Sequence, residues 1–589
     1  MAHALLDVEG SHPESVAVPQ LVSQGAVDSR ALLPSFLYLA HTSEGAQPLP
    51  WDPMRAFAVG EYARSRGADA PARLISSAKS WLCHPGVDRR AGVLPPGAPD
   101  DVEKISPVET SWRYLEHLSE AWNARFPDAP FSDQEIVLTV PASFDASARE
   151  LTVEAAYASG IENLTLLEEP QAALYAWIDQ IGDGWRKQIK PGDVILVIDV
   201  GGGTTDLSAI AATERDGNLE LTRVAVGDHI LLGGDNMDLA LAHLVRTKLA
   251  EEGKQLDRWQ MNALAHSCRD AKERLLADPS LGSMPIAVAT RGSKLLGSTL
   301  RTELTQQEVT TTILEGFFPE VPPSARPTTR ARAALTQLGL PYASDAAVTR
   351  HLAAFLGRQA SALANLPAPS QRAPTLLHPT AVLFNGGVMK SGVLRDRLVR
   401  ILDSWLREDG GSAVRVLQGT DLDLAVARGA ASYGLARCGQ GLRIRGGTAR
   451  AYYVGIESPA PAVPGVEPPI IALCLAPFGM EEGTEAKLPE QEFGAVVGEP
   501  VRFRFFGSSV RRQDQAGDEL ESWSSEELEE LAPIEVTLPA KGRQEGEVVP
   551  VRLRAAITEV GTLQLEAMPR TPSKPDERWK VELSVRSEG

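Results

Sequence analysis

Val194-Ile195-Leu196-Val197-Ile198-Asp199-Val200-Gly201-Gly202-Gly203-Thr204-Thr205-Asp206-Leu207-Ser208 runs from an apolar strand through a glycine turn into a second apolar run. The five apolar residues before Asp199 are mostly β-branched and predict a strand buried on both faces. Consecutive glycines let backbone N–H groups converge on an anion, because no side chain blocks the approach. The flanking aspartates can hold Mg²⁺ through its waters, and the threonine hydroxyls can donate to a phosphate oxygen. Two readings fit: a glycine-rich hairpin turn, or a nucleotide-phosphate loop. The aspartates and threonines beside the glycines favour the second.

Working outward, Ile136-Val137-Leu138-Thr139-Val140 predicts another buried strand, stopped by Pro141. A helix capped by Asp145 follows to about Gly160, then a strand at Leu164–Leu167 that ends in Glu168-Glu169-Pro170, then a helix over Gln171–Ile178. Of Glu168 and Glu169, one is expected to be a solvated loop charge. Downstream, Leu219–Val226 predicts a strand, and Gly233-Gly234 precede a helix with Asp235 as its N-cap, a second candidate phosphate site. Trp259–Ala277 predicts a helix carrying Lys272, and Ala381–Val388 a third strand ending in paired glycines, Gly386-Gly387, with a helix from about Leu394. Leu424–Gly434, rich in alanine and glycine, predicts a helix packed closely on a sheet, with Asp423 near its start. Strands alternating with helices, with ligand-type residues at strand ends, define an α/β fold.

Other segments are plainer. Ala4–Val8, Val16–Val18 and Phe36–Leu39 predict short strands. Leu74–Leu82 has helical spacing around Lys79, which by itself reads as a solvated surface lysine. Pro107–Trp122 predicts an amphipathic helix with Trp112, Leu115, Leu118 and Trp122 on its core face. Between 279 and 374 prolines and glycines interrupt the pattern, apart from a predicted helix over Ala346–Leu366. Leu442–Gly447 reads as a linker. Beyond it, alternating runs at Val501–Phe506, Leu563–Ala567 and Val581–Val585 predict an all-β second domain, and the acidic run Asp518–Glu530 a solvated loop or short helix.

The 589 residues suffice for several domains, and the net charge of −19 argues against nucleic acid or an anionic membrane as principal partner. Cys83, Cys268, Cys438 and Cys474 have neither metal-ligand spacing nor a disulfide framework, which fits a reducing cytoplasm. The N-terminus shows no basic-then-apolar signal pattern, and no apolar run is long enough to span a bilayer.

Taken together, Asp-Val-Gly-Gly-Gly-Thr-Thr-Asp at 199–206 resembles the second phosphate motif of the actin-like ATPase superfamily, and more specifically of the seventy-kilodalton heat-shock (DnaK-type) chaperones. Leu138–Phe144 and Leu167–Ala173 resemble that family's connecting segments, Leu232–Asp238 its second glycine pair, and Phe384–Val388 its adenosine motif. The resemblance covers roughly residues 1–437. It implies a two-lobed nucleotide-binding domain there, a linker at 438–447, and a smaller all-β domain at 448–589 without a helical lid. It further implies that Asp199 and Glu169 hold Mg²⁺ through water, and that Gly201, Gly202, Gly203 and Thr204 cradle the phosphates of ATP or ADP. Asp206 gives acidic support, and Lys79 contacts the γ-phosphate and the attacking water. Gly233, Gly234, Lys272, Gly386 and Gly387 would border the nucleotide, with Asp423 nearby.

The family's Asp-Leu-Gly-Thr-Thr motif has no counterpart here, and Met1 falls where the second strand begins. The expectation is therefore a sheet without its first strand, from a start lying upstream or in a weakened nucleotide binder. Arg269 and Glu273 reverse the charges usual around Lys272. The function implied is an ATP-hydrolysing chaperone-like protein that binds unfolded polypeptide or a dedicated partner and works with a possible co-chaperone. The rivals are a catalytically weak scaffold of the same fold and a small-molecule kinase of the superfamily.

Overall fold

A computed structural model describes residues 1–589 except 7, 9, 85, 97, 99–100, 216–217, 279, 290–298, 329–339, 361–374, 439–447, 449, 458–467, 481–483, 509, 512, 525–526, 532, 541, 559–561, 573–576 and 585–589. The chain divides into two units, Met1–Arg443 and Ile444–Gly589. The linker expected at 442–447 lies outside the described residues.

In the first unit Val194–Val200 is the middle strand of a five-stranded sheet, and every residue of it is buried. It pairs antiparallel with Thr205–Arg215 and parallel with Ala381–Asn385, in a register that sets Asp199 opposite both Asp206 and Asn385. A strand covered on both faces favours a continuous apolar run, here Val194–Ile198, which is why this one carries no alternation. The helices Gly234–Glu251, Arg258–Ala277, Val348–Arg358 and Gly392–Glu408 supply Leu241, Leu264, Leu352 and Leu398 to its core.

Ile136–Val140 and Leu164–Glu168 form a parallel pair, a two-stranded sheet among the described residues. Asp145 caps the helix Ala146–Ala158, its Oδ1 accepting from the Ala148 N–H at 2.6 Å. The helix Glu169–Ile181 carries Pro170 in its first turn, where the missing N–H costs nothing. Against it lies the helix Ala425–Arg437, so close that a methyl on Gly429 would fall 1.7 Å from the Ala172 carbonyl oxygen. The alanine–glycine composition thus serves helix-on-helix approach first, with Gly434 reaching Val137 of the strand pair.

Several local expectations change. Ala4 and Leu5 are not in a strand; Ala2–His3 pairs with Glu14–Ser15 instead. Leu74–Ser76 is a strand, and the helix after it is the single turn Ala78–Trp81. The long helix is Pro107–Arg125, with Trp122 buried and Trp112, Leu115 and Leu118 only half-buried. The helix at 348 ends at Arg358, and 361–366 lie outside the described residues.

In the second unit every regular element among the described residues is a strand. Two five-stranded sheets share a core built from Tyr452, Val454, Leu473 and Phe505 of one and Val551, Leu563, Leu565 and Trp579 of the other. Alternate residues Ala451 and Tyr453 point to the opposite face, which Leu528 and Trp523 cover. The acidic run is neither helix nor wholly loop. Glu519-Leu520 and Glu529-Glu530 form the two edges of the first sheet, and Arg504 and Arg450 hold Glu530 and Glu529 at 2.7 Å. Among the described residues no helix is long and apolar enough to cross a membrane.

The helix contact at Gly429 makes a direct prediction. Gly429→Ala overpacks a backbone-to-backbone approach and lowers stability by about 3 kcal/mol or more, read as a lower denaturant midpoint for the first unit; an unchanged midpoint contradicts the packing.

Candidate functional site

Three glycine turns meet at the end of the central strand. Gly201–Thr204 is geometrically the turn of an antiparallel hairpin, with the Gly201 N–H on the Thr204 carbonyl at 2.9 Å. The second glycine pair docks on that turn: Gly234 N–H donates to Gly201 O at 3.0 Å and Asp235 N–H to Gly202 O at 2.7 Å. A methyl on Gly233 would lie 2.6 Å from Gly201 O, so no side chain is tolerated there. Thr205 fastens the same junction from below, its hydroxyl donating to Leu232 O at 2.7 Å. Gly386, at φ +85°, would bring a methyl within 2.4 Å of Val200 O. Gly387 faces open space, with nothing within 4 Å of a methyl placed on it.

Four charged groups gather beside these turns. Lys79 stands on the Ala78–Trp81 turn, entered through Ser77 at φ 56°, a left-handed conformation that is costly for serine. Its Nζ pairs with Glu169, the first residue of the helix after the Leu164–Glu168 strand. Ser80 borders the loop, 3.4 Å from a methyl built on Gly203. Asp199 is buried and accepts from Asn385 Nδ2 at 2.6 Å. Burial, then the charges of Glu169 and Asp206, push its carboxyl up to about 7 against the pull of Asn385 and Lys79. Burial also works to raise Asp206, but the neighbouring His229, a hydrogen bond from Ser143, and the charge of Lys79 together hold it below the usual carboxylate range. The same environments move His229 up to about 10: burial opposes this, and contacts with Asp206 and Cys83 outweigh it. Two carboxylates of one hairpin are therefore driven apart, one toward the acid form and one toward the ionised form.

Glu168 and Glu169 both differ from a solvated loop charge. Glu168 is buried, bonded to Arg149 at 2.9 Å and paired with Arg223, an internal ion group that anchors the strand end. Glu169 is left to face Lys79.

On the far side of the glycine junction Lys272 is buried, its Nζ on Gly234 O at 3.1 Å and on Asp238 at 2.7 Å. Gly233 caps the Gly234–Glu251 helix, so Asp235 lies inside the first turn instead of at the cap. Its carboxylate pairs with Arg269, which also holds Asp238 at 2.7 Å and lies 5.7 Å from the Phe36 ring. The charge reversal at Arg269 is thus matched by two aspartates. Asp423 bonds Lys390 at 2.6 Å, at the end of the Gly387–Lys390 turn, and not Lys272.

Lys79, Glu169, Asp199, Asp206, Gly201–Thr204, Gly233, Gly234, Lys272 and Gly386 are therefore brought to one junction. Among the described residues no group of three or more His, Cys, Asp or Glu side chains stands close enough to ligate a metal directly. A cation beside Asp199 would relieve the crowding of carboxylates that raises it. Residue patterns did not single out Ser143 and His229. Each lies near a strand end, but only the fold brings them to Asp206.

Residues 100–317 match the family model described as Hsp70 protein. Among curated proteins the chain is 31% identical over 277 residues to the chaperone protein HscA of Cronobacter sakazakii, covering 44% of this chain and 39% of that protein. It is 31% identical over 256 residues to an HscA homolog of Bordetella pertussis, covering 42% and 38%. A third match, to an HscA homolog of Bordetella petrii, is 32% identical over 225 residues, covering 36% and 34%. Over these residues the chain is similar to chaperones of the seventy-kilodalton heat-shock family. It spans about two fifths of the length of the curated relatives it matches, 39% and 38% of the first two.

The raised carboxyl of Asp199 predicts a pH signature. The folded chain keeps its proton to about 7, while the unfolded chain releases it near 3.8, so this group's contribution to stability is greatest at low pH and falls as pH rises between those values. Asp199→Asn escapes that loss. With EDTA present its Tm should exceed the wild-type value at pH 8 by about 2 °C or more, the excess shrinking toward pH 4; a pH-independent difference contradicts the assignment.

Proposed function

We propose that this chain binds ATP with Mg²⁺ at the glycine junction and hydrolyses it, nucleotide state regulating how the β unit binds unfolded polypeptide or a dedicated protein partner. The observation that carries the proposal is the placement of Lys79, Glu169, Asp199 and Asp206 around three side-chain-free turns. In such a site hydrolysis needs little covalent chemistry from the protein and depends on positioning and charge. Gly202, Gly203 and Thr204 would present backbone donors and a hydroxyl to the phosphates, Gly201, whose N–H is held by the Thr204 carbonyl, would shape the turn beneath them, and Gly233 and Gly234 would close the other side. Lys79 offsets negative charge at the terminal phosphate. Asp199 and Asp206 would orient the attacking water, and Asp206, held ionised, would take up its proton. Mg²⁺, held through water by Asp199 and Glu169, would neutralise phosphate charge. Lys272 and Gly386 would border the adenosine, and Gly387, facing open space, would leave room for it, with Asp423 on the outer turn.

The proposed setting is the cytoplasm, supported by four thiols that are all free. A co-chaperone acting on the nucleotide cycle is a further proposed partner. A second reading, a catalytically weak nucleotide-binding scaffold, is favoured by the ion pairs that already engage Arg269 and Lys272 with Asp235 and Asp238.

Steady-state hydrolysis and nucleotide affinity, measured side by side, separate the two. Asp199→Asn and Lys79→Ala should each slow turnover about a hundredfold while changing affinity far less. Wild-type binding without turnover supports the scaffold, and equal loss of binding and turnover makes these residues mere anchors.

A further inference from the structure

We infer that Ser143 and His229 are positioning residues that fix the carboxylate of Asp206, an inference that rests on the ATPase reading above. Ser143 Oγ bonds Asp206 and lies 2.7 Å from His229 Nδ1, while His229 Nδ1 and Asp206 Oδ1 are 3.8 Å apart. A hydroxyl has a single proton to give. Asp206 is ionised and can only accept, so Ser143 donates to Asp206 and accepts from the Nδ1–H of His229. The proton order is thereby fixed: imidazole N–H to serine oxygen, serine O–H to carboxylate.

Both supports are themselves held. Ser143 follows the Ile136–Val140 strand, and the fully buried Phe144 beside it sets its ring edge-on to the His229 ring at 5.9 Å. His229 lies between the Asn218–Val226 strand and Gly233, and its side chain is 14% exposed. The relay therefore joins the parallel strand pair to the five-stranded sheet, and it ends on a carboxylate directly opposite Asp199 in the hairpin. A side chain so held keeps an acceptor oxygen in one place while a water molecule is bound, and misplacement by about 1 Å costs about a hundredfold in rate.

The test uses the full chain with ATP and Mg²⁺. His229→Leu removes the relay's first donor, Ser143→Ala its middle, and His229→Asn keeps an amide N–H near the Nδ1 position. The expected result is a kcat lower by about tenfold or more in His229→Leu and Ser143→Ala, with nucleotide Kd little changed. The double variant should be no slower than the worse single one, because the groups act as a unit, and His229→Asn should recover most of the rate. Should His229→Leu not fold, as judged by its thermal unfolding, Ser143→Ala and His229→Asn test the relay without it. Wild-type kcat in Ser143→Ala, independent losses in the double variant, or an Asn variant that fails to fold or is as slow as Leu or as Ser143→Ala overturns the inference while wild-type turnover leaves the ATPase reading standing. A wild-type chain that binds ATP and never hydrolyses it overturns both.

Discussion

The carbonyl of Val200 and the carboxylate of Asp199 lie so close to Gly386 that a methyl there would fall 2.4 Å from the one and 2.6 Å from the other. That approach exists because Val194–Val200 and Ala381–Asn385 are parallel neighbours whose C-terminal ends coincide, which also lets Asn385 bond Asp199. Gly233 repeats the constraint against the carbonyls of Gly201 and Gly202. Three backbone turns are thus packed against each other without side chains between them, and the polar groups of the site are arranged around that junction. Sheet register sets the packing, and the packing sets where the charged side chains of the site stand.

The electrostatics follow from the same geometry. The hairpin register puts Asp199 and Asp206 opposite one another, and Glu169 and Lys79 arrive from separate elements. Like charges brought together under burial cannot all ionise at once. The site divides the load: Asp199 is driven up, whereas Asp206 is kept low by His229, Ser143 and Lys79 against the effect of burial. Glu168, one residue before Glu169, shows the contrast. Two arginines occupy it, and its work is structural.

Legibility in the sequence tracked the range of the interactions. The continuous apolar run at 194–198 could only be a doubly covered strand, and Asp145 declared its helix by a local cap. Those depend on neighbours a few residues apart. Leu74–Leu82 misled because apolar spacing cannot distinguish a short strand followed by one helical turn from a single helix; Ser77 at φ 56° makes the break. Asp235 looked like an N-cap, yet the cap fell on Gly233, since the close approach of Gly201 and Gly202 fixes where the helix starts. Ser143 and His229 were illegible for a deeper reason: 86 residues separate them, and only the docking of two sheets makes them neighbours of Asp206. The acidic run at 518–530 read as solvated charge, but both its ends pair into sheet edges, and Arg450 and Arg504 hold Glu529 and Glu530 at the second.

The central claim is that the three glycine turns form one nucleotide site. The most direct measurement is calorimetric titration of the full chain with ATP and Mg²⁺, alongside a Gly386→Ala variant shown by its unfolding transition to be folded. The account predicts saturable binding at one site per chain, lost or severely weakened in the variant. Wild-type affinity in the folded variant would contradict it, as would a wild-type chain that takes up no ATP at all.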